Sequence, residues 1–88
     1  PPDADCRRRL LERFGRGLRL ELADWDGLVA RTAGVSGAFL RELLRKAAVF
    51  AAEDGGAELV VRDRHVAEAL GELLVAGGAL TQSLLGAA

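Results

Sequence analysis

Apolar residues recur at helical spacing along four stretches of the chain, and each stretch opens on a side chain suited to capping a helix. The first starts from Asp3 or Asp5, with Cys6, Leu10, Leu11 and Phe14 on its apolar side. Arg7, Arg8, Glu12 and Arg13 fill the other faces, and the helix ends near Gly15 to Gly17. Asp24 caps a short second helix in which Trp25, Leu28, Val29 and Thr32 share a face, and Gly34 stops it in the position glycine favours. Ser36 caps the third. Here Leu40, Leu43, Leu44, Ala47, Ala48 and Ala51 form a continuous stripe, flanked by Phe39 and Phe50, with Arg41, Glu42, Arg45 and Lys46 opposite; Asp54-Gly55-Gly56 breaks it. Asp63 begins a fourth helix whose Val66, Ala69, Leu70, Leu73 and Leu74 face inward and whose Glu68 and Glu72 face outward, as far as Gly77-Gly78.

Two connectors break the helical period. Leu18 to Ala23 alternates leucines with Arg19 and Glu21; strand-like in pattern but short and isolated, it reads as an extended segment laid over the core. Leu59-Val60-Val61 forms a short strand or plugs the end of the bundle. In the tail from Gly77 to Ala88, Leu80, Leu84 and Leu85 would dock as one or two further helical turns. The predicted fold class is therefore all-α, a small four-helix bundle with a short extended segment at Leu59 to Val61 and a short C-terminal helix. One domain covers residues 1–88, because a chain of this length holds one core.

Composition narrows the chemistry rather than the fold. Twelve basic residues against thirteen acidic ones leave a net charge of -1, which gives no general field toward nucleic acid or an anionic membrane. The single cysteine, Cys6, cannot form an internal disulfide, so a reduced, cytoplasmic setting and a packing role are expected. Cys6 and His65 are too few for a structural zinc site, and Lys46 follows no phosphate-cradling glycine loop. No nucleophile stands in an activated context, so the chain is not expected to be catalytic alone. His65 is expected to be an exposed first-turn residue and Trp25 a core anchor. The opening Pro1-Pro2-Asp3 and the absence of methionine fit a piece of a longer protein.

The informative junction is Thr32-Ala33-Gly34-Val35-Ser36-Gly37-Ala38, a helix stop followed by a helix start with almost no side-chain bulk. Gly37 and Ala38 serve either tight helix–helix contact or the approach of a polar ligand edge to free N–H groups. Thr-x-Gly-x-Ser-Gly-Ala followed by Leu43, Ala47 and Ala51 resembles the C-terminal small (lid) domain of classical AAA-type (AAA+) ATPases, and the order of elements over residues 1–76 agrees. The resemblance implies a domain that closes over ATP held, with its Mg, by an α/β core outside this chain. It implies that Gly37 and Ala38 line the adenine and ribose. It does not extend a phosphate-sensing role to Arg41, one turn further on. Phe14 stands near where the family often carries a histidine; its ring either packs on adenine or belongs to the core.

Arg7, Arg8, Arg9, Arg13, Arg16 and Arg19 crowd one end of the chain, interspersed with Asp3, Asp5, Glu12 and Glu21. They form a solvated face or touch a partner, and the family context favours a neighbouring subunit of a ring oligomer over nucleic acid. Two other functions fit the same helices. One is a free-standing helical protein-interaction adaptor, and the other a small helical DNA-binding module that uses the Arg-rich first helix.

Overall fold

The computed structural model describes residues 1–76, so expectations for the tail from Gly77 to Ala88 lie outside the described residues. Helices begin where a short side chain takes an otherwise free backbone N–H. Asp3 accepts from the Cys6 N–H at 2.8 Å, Asp24 from Gly27 at 2.9 Å and Ser36 Oγ from Phe39 at 3.1 Å. These caps open α1 (Ala4–Phe14), α2 (Trp25–Arg31) and α3 (Gly37–Glu53). Between α2 and α3 the chain turns through Gly34 at φ +83, a conformation that a Cβ would strain. The fourth helix, α4 (Asp63–Ala76), opens differently. In its first turn His65 accepts the Arg62 N–H on Nδ1 at 2.9 Å, the part a glutamate plays in a capping box.

The fold is mostly helical but not all-α. Both connectors are strands, β1 (Arg19–Glu21) and β2 (Val60–Arg62), and they pair in parallel with Leu20 opposite Val61. A parallel pair needs a long crossover, here supplied by α2 and α3, so the pairing is invisible to local periodicity. Charges fasten its rim: Arg62 donates to Glu21 at 3.0 Å, and Arg19 bridges Glu21 and Glu58. The Asp63 carboxylate accepts the Ala23 N–H. Leu20 lies so close to the end of α1 that a Cβ on Gly15 would stand 2.4 Å from its Cδ1. A side chain at that helix exit would have to push the end of Leu20 aside.

The core sits around α3, whose Phe39, Leu40, Leu43, Leu44, Ala47 and Ala51 are buried against Leu11 of α1, Leu28 of α2, Val61 of β2 and Val66, Ala69 and Leu70 of α4. Phe39 is fully buried rather than flanking the stripe. Leu74, expected inside, is 48% exposed, and Cys6 and Trp25 are only half-buried. No helix among the described residues is long and apolar enough to cross a membrane.

Two polar residues expected at the surface are buried. Arg7 is 7% exposed; its Nε and Nη2 donate to the Val29 carbonyl at 3.3 and 2.9 Å, and Nη1 donates to the Pro2 carbonyl at 3.0 Å. It shares the inward face of α1 with Leu11, one turn on, and satisfies a carbonyl in the last turn of α2, where a cation also suits the helix dipole. Thr32 answers beside it by donating Oγ1 to the Leu28 and Val29 carbonyls at 3.0 and 3.1 Å.

His65 is the other, 1% exposed. Since Nδ1 accepts from Arg62, Nε2 is the ring's donor, and it meets Asp54 Oδ2 at 2.7 Å. Asp54 is the C-cap of α3 and also receives Arg64 Nη2 at 2.6 Å, so a single carboxylate clasps the end of α3 to the start of α4. Hydrogen bonds from Arg64 and then His65 hold the Asp54 carboxyl below its ordinary range. A depressed folded-state pKa contributes stability that is complete above the unfolded value and disappears as pH falls through the folded one. The melting-temperature gap between the wild-type chain and Asp54→Asn is therefore expected to be constant at neutral pH and to narrow below about pH 4. A gap unchanged in acid would show that the clasp contributes nothing through its charge.

Candidate functional site

Phe14 ends α1 and Gly37 begins α3, and the fold sets them along one seam. An ideal Cβ on Gly37 would lie 3.8 Å from Leu10 Cδ1, while one turn further along both helices the Arg41 guanidinium stands 5.0 Å from the centre of the Phe14 ring. The three residues singled out in the sequence, Phe14, Gly37 and Ala38, line one open groove of about 560 Å³ with Arg41, Glu42 and Arg45. Phe14 and Gly37 are half-buried and Ala38 is exposed, so the groove floor is reachable from solvent.

Gly37 is not explained by internal packing. Among the described residues its one neighbour at Cβ range is Leu10 at ordinary van der Waals distance, and its φ is not positive. Glycine at a helix start costs conformational entropy and here returns no closer helix contact. Among the described residues, then, no tight helix contact requires glycine at this position. Ser36 Oγ takes the Phe39 N–H and the Ser36 carbonyl takes Leu40, and among the described residues Gly37 and Ala38 are the first-turn N–H groups without an acceptor.

The rim carries charge in two states. Arg45 is engaged by Glu42, with Nε 3.0 and 2.9 Å from its two carboxylate oxygens, and this hydrogen bonding holds Glu42 below the usual carboxylate range. Arg41 has the Phe14 ring and no carboxylate among the described residues. A second concavity of about 380 Å³ adjoins the first and shares Phe14, Arg41 and Arg45 with it. An aromatic face, slim backbone and a cation without a carboxylate partner among the described residues give this surface the chemistry that suits a planar, polar ligand. It has no nucleophile with a base. Among the described residues no group of three His, Cys, Asp or Glu side chains could hold a metal ion.

The arginine cluster divides once folded. Arg7 is buried, Arg8 lies 5.2 Å over the Trp25 ring, and Arg19 is bound to Glu21 and Glu58. Arg9, Arg13 and Arg16 stay exposed beside Glu12, without ionic partners among the described residues. Arg41 was legible as a neighbour of this site only through its spacing of four from Gly37.

Over 54 residues, 60% of its length, the chain is 44% identical to the ATP-dependent zinc metalloprotease FtsH 2 of Sphaerobacter thermophilus. The similarity is to an AAA+ ATPase. It is consistent with an AAA-type C-terminal fragment and supports the AAA family in general, although the matched part spans 8% of that relative's length. No protein-family model matches the chain, and no solved structure matches it.

Proposed function

We propose that this chain is the lid domain of an AAA ATPase, and that the groove of Phe14, Gly37 and Ala38 closes over the adenine side of ATP. In this proposal the phosphates and Mg are held by a preceding α/β core. The observation that carries it is Gly37, a helix-start glycine that no contact among the described residues requires, set beside a half-exposed aromatic ring. The likeness to an AAA+ ATPase supports the same assignment. The domain would swing about the segment near Pro1-Pro2 as nucleotide binds, is hydrolysed and leaves. The exposed Arg9, Arg13 and Arg16 row would then face a neighbouring subunit of a ring. The internal engagement of Arg7, Arg8 and Arg19 weakens the case for a DNA-binding first helix.

A lid alone holds one edge of the ligand, so the 88-residue chain is expected to bind ATP and adenosine only in the millimolar range. Amide shifts in a nuclear magnetic resonance titration should cluster at Phe14, Gly37, Ala38 and Arg41. Shifts centred elsewhere, or micromolar saturation by ATP, would contradict this division between lid and core.

A further inference from the structure

We propose that Arg41 gates the base-stacking face of Phe14, covering the ring while the groove is empty and yielding it to the base when nucleotide enters. This deepens the nucleotide-site proposal and rests on it. The Arg41 guanidinium stands 5.0 Å from the ring centre, the face a planar base would use. No carboxylate among the described residues anchors it, whereas its neighbour Arg45 is tied to Glu42 and does not compete. The two adjoining concavities share Arg41, so the side chain has space to leave the ring without disturbing the core. Its backbone is fixed on α3, one turn beyond Gly37, so the gate and the open donors of the helix start keep a constant spacing.

The competition is unequal, which is what makes a gate of it. A cation on a solvent-exposed ring is held weakly, and a nucleobase stacks on the same ring more strongly. The base therefore displaces the guanidinium, and the lost contact appears as a reduced apparent affinity. Because the contest is for the ring alone, it weighs equally on adenosine and on ATP. A phosphate-binding role for Arg41 would distinguish the two ligands.

The test is a nuclear magnetic resonance titration of the 88-residue chain with adenosine and, separately, with Mg-ATP, in the wild type, Arg41→Gln and Phe14→Leu. Arg41→Gln should bind both ligands about two- to five-fold more tightly. In the wild type, adenosine should move the Arg41 side-chain protons away from their ring-shifted positions. Unchanged or weaker adenosine binding in Arg41→Gln overturns the gate, as does a change confined to ATP. Phe14→Leu keeps apolar bulk and removes the stacking face. If it binds adenosine as well as the wild type does, the base-site proposal itself fails, independently of Arg41.

Discussion

Replacing Arg7 with alanine is expected to destabilise the domain by about 3 kcal/mol, since it removes a buried side chain and strips charge-assisted donors from two half-buried carbonyls. The Val29 and Pro2 carbonyls receive Nε, Nη1 and Nη2 of this one side chain. The aliphatic stem is lost as well, and it fills space next to Leu11. In a domain this small the loss corresponds to a fall of at least 10 °C in melting temperature, at roughly 4–8 °C per kcal/mol. Arg7→Lys should recover only part of it, because a point donor does not span both carbonyls. Arg9→Ala, one of the exposed row, should stay within about 0.5 kcal/mol of the wild type. Thermal and urea unfolding followed by circular dichroism measures all three, and equal stabilities for Arg7→Ala and Arg9→Ala would remove Arg7 from the framework.

The second large effect runs in the opposite sense for stability and for binding. A Cβ on Gly37 meets nothing closer than 3.8 Å, so Gly37→Ala should raise stability by up to about 1 kcal/mol through a less flexible unfolded chain and better helix propensity. Gly37→Leu should also fold, with its side chain projecting into the groove beside Phe14. In a protein that joins this lid to its ATPase core, Gly37→Leu is expected to weaken ATP binding at least tenfold, about 1.4 kcal/mol. Fluorescent-nucleotide titration reads the affinity and thermal unfolding reads the fold. A Gly37→Leu protein that keeps full affinity would remove the groove from the nucleotide site. A coupled loss of both quantities would return Gly37 to a packing role.

Much of the fold is local and was therefore legible. Asp3, Asp24 and Ser36 each announce a helix start three residues before the amide they bind, and the α3 stripe follows directly from its leucine and alanine spacing. What periodicity missed depends on partners far along the chain. The β1–β2 pair joins residues about forty positions apart, so each strand looks like a stray apolar run until the other is placed against it. Arg7 and His65 carry polar identities that advertise exposure, and it is the Val29 and Pro2 carbonyls and the Asp54 carboxylate that offset the cost of burying them. Arg7 did leave a trace, in its spacing of four from Leu11. Leu74 illustrates the opposite error: its period matches the inward face, yet it is 48% exposed. Phe14, Gly37 and Ala38 were marked by the family pattern together with the lack of bulk at the helix start. Their common groove required the seam between α1 and α3.

The parallel strand pair also dictates the order in which the molecule can come into being. As the chain leaves a ribosome, Leu20 emerges about forty residues ahead of Val61, its partner in the strand pair. Helices can form and jostle during that interval, but the enclosure is sewn shut only when β2 is delivered by α3. A chain cut just before Val60 would keep its three best-capped helices and still be left with an open flank, so the domain has no stable half.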